Sequence, residues 1–316
     1  MSVFTLLERA ELEAFVAPYG LGRLLDFQGI AAGTENSNFF VSLEAGEYVL
    51  TLVERGQRAD LPFVVELLQR LHAAGLPVPY GVPTRSGECL RELADKPALL
   101  QPRLAGKHIE QPNAHHCAEV GSWLARMHLC TQAQPLERRS DRGLDWMLSE
   151  GPLQALQLDG EALELLRASL AEVAQAQAAV LALPRANLHA DLFRDNVLFD
   201  GPHLSGVIDF YNACSGPMLY DVAITLNDWC STASGSLDLS RARALLAAYA
   251  SLRPFHPAEA ERWPCMLRIA CLRFWLSRLI AARQPTALGV QVKDPDEFRQ
   301  RLLQRQQVHL PLPLAL

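Results

Sequence analysis

The sequence predicts an α+β protein in two parts, a small antiparallel-sheet unit followed by a larger, mainly helical one. Before about residue 100, β-branched and aromatic residues gather in short runs broken by Pro and Gly. After "LLQPRLAGK", long stretches repeat their apolar residues at helical spacing. A strand–turn–strand segment interrupts the helical half where the polar motifs are densest. The boundary is expected near Gln101 to Gly106, giving parts of 1–102 and 103–316.

The elements follow in order. "GTENSNFFVSL" and "GEYVLTLVE", with Glu44-Ala45-Gly46-Glu47 as turn material, predict an antiparallel hairpin. "ADLPFVVELLQRLHAAG" carries helical spacing, an early proline and a closing glycine, so it reads as a helix. "LPVPYGVPT", "ECLREL" and "KPALLQPRLAG" supply short extended pieces. Four helices are then expected, at "NAHHCAEVGSWLARMHLCT", "GEALELLRASLAEVAQAQAAVLAL", "SRARALLAAYASL" and "PCMLRIACLRFWLSRLIAAR". Between the second and third, "RANLHADLFRDNVLFDGPHLSGVIDFYNA" has strand character on both sides of a turn.

Bulk properties narrow the class. The chain has 316 residues, is 49% apolar and 20% charged, and so can bury a sizeable core. A net charge of −6 argues against nucleic-acid binding, which needs a basic face. No apolar run approaches the roughly 18 residues of a membrane span, and "MSVFTLLERAELEAF" lacks the basic and apolar regions of a signal peptide. Seven cysteines without a C-x-x-C pair suit reduced core thiols. A soluble cytoplasmic protein, monomer or homodimer, is expected.

The densest polar motif is "NLHADLFRDNVLF", residues 187 to 199, with His189, Asp191 and Asn196 spaced H-x-D-x-x-x-x-N. "NVLF" and "GVIDF" follow as apolar strands around "DGPHLS". If Asp200 pairs with Ser205 across a four-residue loop, Asn196 falls opposite Asp209. Opposed residues have Cβ atoms about 4.5–5.5 Å apart, so an amide and a carboxylate could share one hard cation such as Mg²⁺. Asp191, in the preceding loop, is then a carboxylate not committed to metal. That set suits phosphoryl transfer, which needs metal to offset phosphate charge and a base to orient a hydroxyl.

No G-x-x-x-x-G-K-[ST] loop exists; "AGKH" lacks its first glycine and its hydroxyl. Phosphate contacts are expected instead from "GIAAGTENSNFFV", through Gly33, Thr34, Asn36 and Ser37.

These stretches resemble the aminoglycoside-phosphotransferase/choline-kinase family, relatives of the protein kinases. "HADLFRDN" is similar to the family's catalytic loop and "GVIDF" to its metal-binding Asp segment. "GPMLYDVAITL" resembles the stretch whose Asp, here Asp221, anchors that loop, and "EVGSWLARMHL" the helix that opens the second lobe. The resemblance runs from about Phe27 to Arg278. It implies a protein-kinase-like two-lobed fold, with a nucleotide-binding lobe at 1–102 and a catalytic and substrate-binding lobe at 103–316. It also implies ATP and Mg²⁺ as cofactors, Asp191 as base, and Asn196 and Asp209 as metal ligands. His189 is placed in the catalytic loop, where orienting it is a better role than proton transfer. Backbone groups of Leu100 and Gln101 would run past the adenine.

One feature departs from the family. Kinase-like folds carry a cation on the third strand that pairs with a helix glutamate, and here Thr51 or Leu52 occupies that place. Glu66 would lack its partner, leaving Arg55 or Arg58 as substitutes. Within the family the motifs look most like the branch that phosphorylates a small amino-alcohol, L-homoserine. Its carboxylate would need a cation, from Arg194, Arg268, Arg273 or Arg278. Its ammonium would need an anion, from Asp195 or Asp228, with Asn212, Trp229 and Trp275 as pocket walls. Choline or ethanolamine, methylthioribose and aminoglycosides are the alternative acceptors, and a nucleotide-binding scaffold without catalysis is the alternative class. A metal-dependent hydrolase fits less well, because two-metal hydrolysis needs more ligands than this cluster offers.

Overall fold

The computed structural model describes residues 5–30, 36–54, 58–283 and 293–314. The chain divides into two compact units. The first is built mainly from Met1–Ala105 together with Gly206–Tyr211; the second takes Gly106–Ser205, Asn212–Pro285 and the C-terminal segment.

In the first unit, helix α1 (Arg9–Val16) precedes strands β1 (Leu24–Gly29), β2 (Ser37–Leu43) and β3 (Gly46–Leu52), then helix α2 (Leu61–Ala73) and strands β4 (Leu90–Leu93) and β5 (Lys96–Pro102). The strands form one sheet in the order β1-β2-β3-β5-β4, with every neighbouring pair antiparallel. Alternation explains the sheet's buried face: Phe39, Val41 and Leu43 of β2 point inward, as do Leu50 and Leu52 of β3. Leu12, Phe15 and Val16 of α1 join the same core. The expected hairpin is present, with Leu43 paired to Gly46, so Glu44 and Ala45 alone make the turn.

The second unit begins with helices α3 (Ala114–Gln132), α4 (Leu144–Ala155) and α5 (Gly160–Leu181). Strands β6 (Arg185–Leu188), β7 (Val197–Asp200), β8 (His203–Val207) and β9 (Cys214–Pro217) follow. Helices α6 (Met218–Trp229), α7 (Leu239–Leu252), α8 (Pro257–Ala281) and α9 (Pro295–Arg305) complete it. β6 and β9 pair antiparallel, from Arg185 with Pro217 to Leu188 with Cys214, which gathers the polar motif between them. α6 is buried over its whole length, its Asp221, Thr225, Asn227 and Asp228 included.

Two expectations need correction. Only Gly201 and Pro202 lie between β7 and β8, so the four-residue loop and its pairing of Asp200 with Ser205 do not hold. The cause is Gly201, whose φ of +58° supports a two-residue hairpin turn. The sequence pattern also predicts no helix at α1, α4, α6 or α9, the last because its apolar residues are outnumbered by charged ones. Among the described residues no helix is long and apolar enough to cross a membrane.

α3 and α7 meet at Gly121, where an added Cβ would collide with the main-chain carbonyl of Leu245. Backbone cannot swing aside as a side chain can, so Gly121→Ala is expected to destabilise the protein by about 1–3 kcal/mol. A urea-unfolding midpoint unchanged from wild type would contradict that reading.

Candidate active site

The chain leaves β6 at Leu188 and enters the motif loop under the control of one carboxylate. The main-chain N–H groups of His189 and Ala190 donate to Asp221 Oδ2 and Oδ1, at 2.7 and 2.8 Å. Asp221 lies in the first turn of α6 and is fully buried. On its other side, His128 Nε2 lies 3.2 Å from Oδ2, and His128 Nδ1 lies 2.8 Å from the Tyr249 hydroxyl. The network assigns the tautomer: Tyr249 donates to Nδ1 and the Nε2 N–H donates to Asp221. Burial alone would raise the Asp221 carboxyl, but the hydrogen bonds from His128 and the His189 N–H hold it below its usual value.

Ala190 has a φ of +60°, the left-handed region that costs a residue with a Cβ about 1–3 kcal/mol. Both of its backbone groups are held, the N–H by Asp221 and the carbonyl by Arg273 Nη1. This bend turns Asp191 out of the core to a half-buried position. The Asp191 N–H donates to His189 Nδ1 at 3.2 Å, so His189, itself fully buried, orients the loop.

The Asp191 side chain is oriented in turn. Asn212 Nδ2 donates to Asp191 Oδ2 at 3.2 Å, and Arg273 Nη2 reaches Asn212 Oδ1 at 3.5 Å. Loss of water raises the Asp191 carboxyl above its usual value, and Arg273 and His189 offset part of that rise. A raised carboxylate is a stronger base, which suits its expected task.

A 3-10 turn, Arg194–Asn196, closes the loop. Asn196 Nδ2 donates to the Asp191 carbonyl at 2.9 Å, which directs Oδ1 the other way. That oxygen is a hard donor of the kind Mg²⁺ prefers. Asp209, the second expected ligand, is exposed, has a φ of +65° and belongs to the segment that joins the first unit.

Of the acceptor residues expected from sequence, Asn212 and Arg273 stand at Asp191, whereas others serve the scaffold. Trp229 and Trp275 are 0% and 1% exposed, so neither walls an open pocket. Trp229 Nε1 instead donates to the Leu192 carbonyl at 3.1 Å. Both tryptophans sit in helices whose neighbours are mostly apolar, and they pack inward with them. Arg194 donates to Asp228 Oδ2 from its N–H and its Nε, at 2.9 and 3.2 Å, and to the Glu110 carbonyl at 3.0 Å. Arg268 pairs with Glu172, and Arg278 with Glu297. Asp195 pairs with Lys293 at the surface.

In the first unit, Gly33, Thr34 and Arg55 lie outside the described residues. Asn36 Oδ1 accepts the Glu54 N–H at 3.2 Å; the Ser37 hydroxyl accepts the Thr5 N–H at 3.1 Å and donates to Glu54 Oε1 at 2.5 Å. Those two side chains therefore brace the strand ends rather than stand open. Glu54 also pairs with Lys96, a cation the sequence reading did not single out. Thr51 is buried and donates to Asn38 Oδ1 at 2.7 Å. Glu66 pairs with Arg70 and Arg58 with Glu92. The Leu100 carbonyl accepts the Val82 N–H at 2.8 Å and is engaged within the unit, and the Gln101 side chain donates through Nε2 to the Pro79 carbonyl.

A model of the phosphotransferase enzyme family matches residues 26–255. The chain belongs to that family and is a small-molecule kinase. Over 316 residues it is 67% identical to the homoserine kinase of Pseudomonas aeruginosa (strain UCBPP-PA14), with all of both chains covered. It is 43% identical over 303 residues to the homoserine kinase of Methylobacillus flagellatus, covering 96% of this chain and 94% of the relative. Among solved structures, amicoumacin kinase hAmiN in complex with AMP-PNP, Ca²⁺ and Ami matches with a TM-score of 0.69 at 15% identity, covering 95% of this chain and 92% of the other, a likeness of fold.

Asp221→Asn replaces an acceptor of two main-chain N–H groups by an amide that can answer one. Hydrogen bonds to a charged group contribute about 1.5–3 kcal/mol each, so kcat is expected to fall by about 10- to 100-fold. A loss under threefold would show that the loop does not depend on this carboxylate. The same residue sets a pH dependence. Because its folded pKa is depressed, its stabilisation is present above the unfolded carboxylate value near pH ~4 and is lost as pH falls through the lower folded value. Urea midpoints below that pH should fall less steeply for the Asn variant than for wild type.

Proposed function

We propose that this chain transfers the γ-phosphoryl group of ATP to the side-chain hydroxyl of L-homoserine, giving O-phospho-L-homoserine and ADP on the way to threonine. The observation that carries the reading is identity along the full length with homoserine kinases, including the curated relative at 67%. The ordered H-x-D-x-x-x-x-N loop agrees with it. Choline, ethanolamine, methylthioribose and aminoglycoside acceptors, and a non-catalytic scaffold, are not favoured by those relatives.

Asp191 orients the acceptor hydroxyl through Oδ1. As the hydroxyl oxygen bonds to the γ-phosphorus, the bond from that phosphorus to the ADP oxygen breaks, and the hydroxyl proton passes to Asp191. Asn212 keeps the carboxylate in plane for the transfer, and Arg273 steadies Asn212. Asn196 and Asp209 are the residues that would hold Mg²⁺, which supplies charge to offset that on the phosphates. Residues 1–102 form the nucleotide-binding lobe and 103–316 the catalytic lobe. In the first, Lys96 is a candidate for the cation that the third strand lacks. The enzyme acts in the cytoplasm, as a monomer or homodimer.

The test is ATP consumption in the presence of Mg²⁺ with L-homoserine, choline, ethanolamine, methylthioribose and kanamycin. Turnover is expected with homoserine, to fall by about 10²–10⁴-fold in Asp191→Ala, and to stop when Mg²⁺ is chelated. Preference for another acceptor would overturn the substrate. A fully active Asp191→Ala enzyme would overturn the base.

A further inference from the structure

The segment Gly206–Tyr211 belongs to the first compact unit, although the chain reaches it from the second. Two contacts fasten it there, one on each side of Asp209. The Val207 N–H donates to the Pro77 carbonyl at 3.0 Å. Beyond Asp209, the Tyr211 hydroxyl hydrogen-bonds the Thr51 side chain. Between these contacts Asp209 is exposed and has a φ of +65°. A residue with a Cβ keeps that conformation only where its surroundings impose it.

The Tyr211 contact has a direction. Alternation turns Thr51 to the sheet face opposite Leu50 and Leu52, beside Asn38, its partner across β2 and β3. The single proton of the Thr51 hydroxyl goes to Asn38 Oδ1, at 2.7 Å. Tyr211 is therefore the donor and Thr51 Oγ1 the acceptor. Thr51 is only 4% exposed, so water does not readily take the place of the phenol. The chain Tyr211–Thr51–Asn38 thus ties the turn after Asp209 to two neighbouring strands.

We propose that Tyr211 is a positioning residue for Asp209: through Thr51 it holds the Asp209–Tyr211 backbone on β3 and so fixes where the Asp209 carboxylate stands for Mg²⁺. The inference rests on the reading of Asp209 as a ligand of that ion. Tyr211 itself ligates nothing and acts only through the backbone that joins it to Asp209. A turn fixed in advance spares the ion the entropy of ordering that backbone when it binds.

The experiment measures the affinity for AMP-PNP by calorimetry, in EDTA and across a Mg²⁺ titration, so that no turnover enters it. In wild type Mg²⁺ should tighten binding, and Asp209→Asn should remove most of that gain. Tyr211→Phe should raise the Mg²⁺ concentration at half gain by about 10- to 100-fold, as groups that orient a metal ligand do, with affinity in EDTA kept within about twofold. Thr51→Val, which removes the acceptor, should behave like Tyr211→Phe, whereas Thr51→Ser, which keeps it, should behave like wild type. The two Thr51 variants decide the matter should Tyr211→Phe fold poorly. Equal losses with and without Mg²⁺ would mark the contact as structural and overturn the inference, as would an unchanged Mg²⁺ gain. An Asp209→Asn protein that keeps the full gain would instead overturn the reading of Asp209, and the inference with it.

Discussion

A fully buried carboxylate is tolerable only when its lone pairs are answered, and Asp221 meets that condition by holding the loop that carries Asp191. Its partners are the N–H groups of His189 and Ala190 on one side and His128 on the other. Removing a charge from water costs several kcal/mol even after the protein relaxes, so these bonds are obligatory rather than ornamental. They also fix Ala190 in a conformation that residues with a Cβ seldom adopt. Tyr249 lengthens the chain by setting the His128 tautomer from α7. Loop geometry is thus a consequence of satisfying one charge.

α6 is the element that makes this possible. Asp221 and Asp228 are seven residues apart, two turns, and so share a helix face. Asp221 grips the loop before Asp191, and Asp228 grips it after, through the Arg194 N–H. Trp229 holds the Leu192 carbonyl between them. A helix buried along its whole length has little freedom to shift, and a loop tied to it at three points inherits that rigidity. Positioning of a base to within a fraction of an ångström is what such support supplies.

Much of this was legible in the order of residues. The H-x-D-x-x-x-x-N spacing is local, and local spacing survives whatever the fold does around it. The N-terminal hairpin and α2 were legible for the same reason, from alternation and from periodicity with end signals. What failed to read was burial and partner choice. Trp229 and Trp275 looked like pocket walls because aromatic residues near polar ones suggest a site, yet both pack into the core. The β7–β8 turn came out two residues shorter than expected, since Gly201 accepts a positive φ that the count of turn-forming residues does not reveal. Arg301 carried no signal at all: in "EFRQRLLQR" it is one charged residue among several, and only the fold buries it.

That burial is itself informative about what the C-terminal helix is for. Arg301 and Arg305 are both almost fully buried on α9, but they are not alike. Arg305 spends its donors on Asn227, Ser231 and the Gly235 carbonyl, a set that ties α9 to the end of α6 and the loop beyond it. Arg301 instead shares its charge between Glu297 on its own helix and Asp228 of α6, the residue that also holds the Arg194 N–H. Removing one partner of such a buried pair would leave an uncompensated charge, which is strongly destabilising. Two buried guanidiniums therefore tie α9 to α6, and through Asp228 the tie reaches the loop that carries Asp191.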